Sequence, residues 1–501
     1  MKYLLGIDIG TSGTKTVLFD ENLNEKAAAV QEYPLYQPQN GYAEQDPEDW
    51  YNAAVRTVKA VIEKSGINGA DIKGIGLSGQ MHGLVMLDKD NKVLRPAIIW
   101  CDQRTEKECA QITELVGYDR LVEITANPAL TGFTASKIMW VKNNEPFIFD
   151  KCCHILLPKD YVRFMLTGVY ATEVSDASGM QLLDVPKRCW SDEVLNKLGI
   201  DKALLADVYE SQEITGYITE DTAKITGLAA GTPVVGGAGD NAAAAVGTGI
   251  VKEGKAFTTI GTSGVVFAHT DSPVTDKRGR VHTFCCAVPG KWHVMGVTQA
   301  AGLSLKWFKD NFFKDLDRDA YKIIDDLALK SPVGANRLIY LPYLMGERTP
   351  HLDADCRGVL FGLSASHTRG DIARAVMEGV AFSLADCKDI LDEMGINVND
   401  MTACGGGSES DIWTKILADI CGTDIKRLGT AQGPALGAAI LAGVGTGLFK
   451  DVKTACDMYI RPENTVGFSL ENNVKYKAVH SLYKKLYTSL KDDFKTLSGL
   501  G

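Results

Sequence analysis

The tetrapeptide Gly-Thr-Ser-Gly occurs twice, at 10–13 and at 261–264, half a chain apart in a sequence of 501 residues. Each copy sits between two β-rich runs, YLLGIDI and TKTVLFD around the first, AFTTI and VVFAH around the second. The same turn in the same strand–turn–strand setting at that separation predicts two similarly built domains with a junction near residue 250. In the first half a third run, AAAVQEYPLY, follows the turn ENLNE and completes an antiparallel meander. A helix starts at DPEDW, where Asp46 suits the N-cap and Pro47 the first helical position. Its apolar residues Trp50, Ala54, Val58, Val61 and Ile62 keep helical spacing up to Gly66, and strand-like KGIGLSG follows. The order βββαβ, twice over, predicts mixed sheets covered by helices, with a cleft between two lobes. Further helices are predicted at 136–143, 302–314, 370–391, 409–421, 434–444 and about 471–496.

Composition narrows the function classes. With 45% hydrophobic residues, 50 Gly and only 16 Pro, the chain is neither disordered nor collagen-like. A formal net charge of −10, from 53 Lys+Arg against 63 Asp+Glu, disfavours nucleic acid or an anionic membrane as the main partner. No run of about 18 apolar residues predicts a transmembrane helix, and Asp8 arrives too early for a secretory signal. Twelve cysteines form no CxxC pair and match no zinc or disulfide framework, so reduced thiols and a cytoplasmic location are expected.

Five segments concentrate candidate chemistry. Residues 6–15, GIDIGTSGTK, place Asp8 at a strand end before a turn whose Thr11, Ser12, Thr14 and Lys15 have the character of a phosphate cradle. A plain Gly/Thr hairpin is the alternative, and the echo at Gly261, Thr262 and Ser263 favours phosphate. Asp8 would tolerate phosphates if Mg²⁺ lay between them. Asp240 is the one charged residue in GGAGDNAAAAVGTG and stands with Asn241 at the start of an alanine-rich helix. N-capping would explain it, but its place at the junction makes it a candidate general base for a hydroxyl. The run GIGLSG matches a dinucleotide fingerprint literally, yet another strand follows where a long helix should open. That strand end presents Met81 and His82 as contacts to a substrate hydroxyl, and IIWCDQR adds Trp100 and Asp102, an exposed ion pair with Arg104 being the plainer reading of the latter. Gly405, Gly406 and Gly407, between a short strand and a helix, suit a nucleotide. GPALGAAILAG, 433–443, reads as a closely packed helix.

These residues resemble the FGGY-type carbohydrate kinases over nearly the whole chain. GFTASKIMWVKNN, 132–144, meets that family's first signature with Lys137 and Trp140 in place, and GVLFGLSASHTRGDIARAVME, 358–378, meets its second. SGQMHG (78–83), LLPKDYVRFMLTG (156–168) and GDNAAAAVGTG (239–249) are similar to the xylulose-specific members. The resemblance implies an α/β, two-domain sugar kinase/Hsp70/actin-like (ribonuclease H-like) fold with a duplicated βββαβ core and a central cleft. It further implies a sugar-binding domain over 1–248 and a nucleotide-binding domain over 249–501. The implied activity is phosphorylation of D-xylulose by ATP with Mg²⁺. Asp240 would be the base, Asp8 would act beside the metal and phosphates, and Met81 and His82 would touch the sugar. The 10–15 and 261–264 loops would face the phosphates and 405–407 the nucleoside, and the resemblance suggests a homodimer. A kinase for L-ribulose, glycerol or gluconate is the nearest alternative. A nucleotide switch would need a peptide-binding domain of which the sequence shows no sign.

Overall fold

The first half of the chain builds its sheet in the expected order. The computed structural model describes residues 1–314, 319–429 and 433–500; the other positions of the expected 249–501 domain lie outside the described residues. Strands β1 (Tyr3–Ile9), β2 (Gly13–Asp20) and β3 (Glu25–Glu32) form the meander, with Asp8 opposite Lys15. Helix α1 (Pro47–Ser65) follows, with the Asp46 carboxylate accepting the Glu48 N–H at 3.0 Å and Gly66 closing the other end in the left-handed region. It buries Trp50, Ala54, Val58 and Val61 and returns the chain into β4 (Ile72–Gly79), parallel to β1. Two strands extend the sheet beyond β4, β5 (Ile214–Tyr217) and β6 (Pro233–Val235). A two-residue strand, Ala238–Gly239, then runs beside Ser78 and Gly79 and leads directly into α2 (Asp240–Gly247).

The second half repeats the scheme. Strands β7 (Lys255–Ile260) and β8 (Gly264–Thr270) make the echoed hairpin, and β9 (His282–Cys285) and β10 (Trp292–Thr298) continue it antiparallel. Helices α3 (Gly302–Phe312) and α4 (Arg369–Glu393) follow, the latter opened by a reciprocal cap between Thr368 and Asp371. Next, β11 (Asp400–Cys404) pairs parallel with β7 as β4 does with β1. Helix α5 (Asp411–Cys421), β12 (Ile425–Leu428), α6 (Gly433–Gly445), β13 (Pro462–Val466) and α7 (Leu470–Ser498) complete the chain. Strand orders β3-β2-β1-β4-β6-β5 and β10-β8-β7-β11-β12-β13 match in strand direction, though the last two strands are reached in opposite chain order, and β9 is an extra edge strand on the second sheet. No described helix is long and apolar enough to cross a membrane, and all twelve cysteines are free thiols.

The halves are joined by backbone contact. Helix α6 belongs to the second half in sequence but lies on β1 and β4 of the first sheet, and it also packs on α2. A Cβ added to Gly6 would meet the Ala435 carbonyl at 2.0 Å, one on Gly76 the Ala438 carbonyl at 2.0 Å, and one on Gly437 the Ala243 carbonyl at 1.9 Å. Backbone cannot yield as a side-chain tip can, so only glycine fits at these positions. The glycines of GIGLSG therefore serve helix-on-strand packing. Gly76→Ala should lower stability by about 1–3 kcal/mol or more, the usual cost of overpacking. Urea unfolding checks it: the midpoint should fall, and an unchanged midpoint would contradict the contact.

Candidate functional site

Sheet register brings two carboxyl groups together. Asp8 pairs with Ser78 across β1 and β4, and Ser78 pairs with Ala238, two residues before Asp240. Asp8 lies at the end of β1, where burial pushes its carboxyl upward against the nearby Ser78 hydroxyl and the Lys15 charge. Its Oδ1 is buried with no hydrogen-bond partner. Burial likewise raises Asp240, to about 7, and the charge on Asp8 adds to the rise; the Asn241 N–H and amide oppose it. Both donate to Oδ1 of Asp240, at 2.7 and 3.0 Å, which leaves Oδ2 free.

Asp240 faces a cavity of about 260 Å³ walled by both halves. Met81, His82, Trp100, Phe133 and Asn241 come from the first, and Thr259, Ser263, Met295, Val297 and Arg348 from the second. His82 Nδ1 lies 3.0 Å from the Gly179 carbonyl, which only accepts, so Nδ1 carries the proton and Nε2 is the acceptor. Burial, with the Lys137 charge, pushes His82 down to about 3 and keeps the ring neutral; its ring packs 5.0 Å from Phe133. Trp100 is fixed by donating from Nε1 to Thr11 Oγ1 at 2.9 Å.

A second cavity, of about 560 Å³, lies between α3, α5 and the second hairpin. Gly261, Thr262, Gly406 and Gly407 line it, with Leu303, Lys306, Tyr321, Asp325 and Trp413. The 261–264 turn touches both cavities: Gly261 and Thr262 face the larger, whereas Ser263 faces the smaller. The start of α3 is clasped to that turn by Gly302 N–H to the Gly261 carbonyl at 2.6 Å and Ala301 N–H to the Thr262 carbonyl at 3.0 Å.

Several expected residues have other duties. Asp102 is fully buried and lines neither cavity. Its oxygens accept from the Ala43 N–H at 2.6 Å, the Arg104 N–H at 2.9 Å and the Arg104 guanidinium at 2.6 Å, so it is a structural ion pair rather than a substrate contact. Thr11, Ser12, Thr14 and Lys15 line neither cavity: Thr11 supports Trp100, and Lys15 stands across the hairpin from Asp8. Gly405 turns the chain at φ +83 against the Ile260 carbonyl and leaves the lining to Gly406 and Gly407. Ser263, read with the phosphates, belongs to the smaller cavity.

The sequence reading missed Phe133, Arg348, Asp325 and Trp413. Phe133 and Trp413 stand in runs read for family pattern and helix period. Arg348 follows the apolar run LIYLPYLMG, where a Glu-Arg pair was a legible signal. Burial pushes the Arg348 guanidinium down, with the Glu347 charge opposing it; Glu347 is itself buried and raised to about 7.

Comparison with known proteins fits this geometry. The chain is 42% identical to a xylulose kinase of Bacillus subtilis, over 98% of each chain. Its fold is similar to solved structures of a xylulose kinase and a gluconate kinase of Lactobacillus acidophilus, each 27% identical, with TM-scores of 0.94 and 0.93. These cover 99% of this chain and 100% and 99% of theirs. The N-terminal domain of the FGGY family of carbohydrate kinases matches residues 3–247 and its C-terminal domain residues 256–446. The chain belongs to the FGGY family of carbohydrate kinases.

Proposed function

We propose that this carbohydrate kinase transfers the γ-phosphoryl group of ATP to the terminal hydroxyl of D-xylulose, giving D-xylulose 5-phosphate and ADP. The observation that carries the reading is Asp240, a half-buried carboxyl with one free oxygen, facing a small cavity that shares the 261–264 turn with a nucleoside-sized one. Xylulose is favoured over gluconate by the whole-length relative at 42% identity, against 27% for the gluconate kinase.

Oδ2 of Asp240 accepts the hydroxyl proton as the oxygen attacks γ-phosphorus, and ADP departs. Asn241 holds Oδ1 still, so the base keeps its aim. His82 Nε2 accepts a sugar hydroxyl, with Met81, Trp100 and Phe133 forming the apolar wall. The larger cavity takes the nucleoside, and the 261–263 backbone leads the phosphates toward the sugar. Two half-buried carboxyls, one with a buried, unpartnered oxygen, fit a divalent cation; Asp8 would hold it. Mg²⁺, arriving with ATP, supplies neutralisation of phosphate charge. With the site walled by both halves, closure of the cleft expels the water that competes for ATP. Free thiols throughout accord with work in the cytoplasm.

Asp240→Asn should lower kcat by about 10²–10⁴ while ATP still binds, as read by ADP release and calorimetry. A variant within tenfold of the parent would remove Asp240 from the base role. Since Asp240 must be ionised and its carboxyl sits near 7, kcat/KM for the sugar at low Mg·ATP should fall tenfold per pH unit below about 7. A limb near pH 4 would contradict the burial argument. His82→Phe should raise the sugar KM by about three- to tenfold, the worth of one hydrogen bond, and leave the ATP KM unchanged.

A further inference from the structure

The segment that delivers Asp240 cannot hold itself. Gly236, Gly237, Ala238 and Gly239 offer no side chain that could anchor the base, and Gly237 is at φ +77. The segment's backbone is held instead by a buried polar layer from the first half. Arg163 Nη1 donates to the Gly236 carbonyl at 2.7 Å, the Gly237 N–H donates to the Ser211 carbonyl at 2.9 Å, and the Gly239 N–H donates to Ser175 Oγ at 3.1 Å. Ser175 Oγ in turn donates to Glu173 Oε1 at 2.8 Å, and Ser211 Oγ donates to Glu173 Oε2 at 2.7 Å. Glu173 also accepts the N–H groups of Ser175 and Asp176, at 2.8 and 2.9 Å, and lies 3.4 Å from Lys159 Nζ. Arg163, Glu173, Ser175, Ser211 and Lys159 are all fully buried.

We infer that Glu173, acting through Ser175 and Ser211, is the positioning residue for the base: it fixes the backbone immediately before Asp240 and so sets the distance from Oδ2 to the reacting hydroxyl. None of the three lines either cavity. Their effect is therefore on the chemical step, not on capture of sugar or ATP. Each hydroxyl has one proton to give, and both are committed to Glu173, so Ser175 Oγ presents its lone pair to the Gly239 N–H. Glutamine in place of Glu173 would put donors where two hydroxyls and two N–H groups already donate. The inference rests on Asp240 as the base.

The test compares Ser175→Ala, Ser175→Thr, Ser211→Ala and Asp240→Asn in the full-length enzyme, by sugar-dependent ADP release, ATP calorimetry and thermal melting. Ser175→Ala should lower kcat by about 10- to 100-fold, the cost of a misaimed group. Its KM for xylulose and its ATP affinity should stay within about twofold of the parent, again because the loss is of aim. Ser175→Thr, which keeps the hydroxyl, should recover most of the rate. Should Ser175→Ala fail to fold, Ser211→Ala carries the test, with a smaller kcat loss and the same unchanged KM. A kcat within twofold of the parent in the alanine variants, or a loss confined to KM, overturns the positioning role. Full activity of Asp240→Asn would overturn the base assignment separately.

Discussion

Close approach of α6 to the first sheet is the contact on which the rest of the molecule depends. With glycine at 6, 76 and 437, no side chain stands between the helix and its neighbours: the Ala435 and Ala438 carbonyls of α6 rest where Cβ atoms on 6 and 76 would be, and the Ala243 carbonyl of α2 rests where one on 437 would be. Packed this way, α6 is a rigid strut from the second half seated in the first, and α2 lies against it. Because α2 begins with Asp240, the seating of α6 also sets where that carboxyl points relative to Asp8 on β1.

The second constraint is electrostatic. Burial lifts both Asp8 and Asp240 above the usual carboxylate range, and repulsion by the charge on Asp8 adds to the rise at Asp240. A fold that held them only for stability would gain nothing from this arrangement. It becomes useful when a proton must be taken from a neutral hydroxyl near pH 7 and a cation with triphosphate must be received alongside. The layer of Lys159, Arg163 and Glu173 behind the site keeps the glycine-rich approach to Asp240 still against that repulsion.

Much of the architecture was legible because its signals are local. The repeated Gly-Thr-Ser-Gly marked both hairpins, Asp46 and Pro47 marked α1, and the alanine-rich run after Asp240 marked α2. Asp240, His82 and Gly406 stood out because glycines isolated them at strand or helix ends. What escaped notice depends on partners far away in sequence. Asp102 reads as an exposed ion pair or a ligand, and only the fold shows Ala43 and Arg104 consuming both its oxygens. Arg348 reaches a cavity whose other walls come from strands and loops well before it in the chain, from Met81 to Val297, and Glu173 looks like any strand glutamate until Ser211 closes on it. Gly74 and Gly76 of GIGLSG were visible, but their purpose lies in a helix more than 350 residues on.

The central claim is that one cavity selects a ketopentose and presents it to Asp240 across the turn shared with the nucleotide. ADP release from Mg·ATP, measured with D-xylulose beside L-ribulose, D-ribulose, glycerol and gluconate and without any sugar, tests it most directly. The account predicts turnover strongly preferring D-xylulose and little ADP without sugar. Equal or faster turnover of gluconate or glycerol would contradict the assignment of the smaller cavity, and ADP release indifferent to sugar would contradict the kinase mechanism built on Asp240.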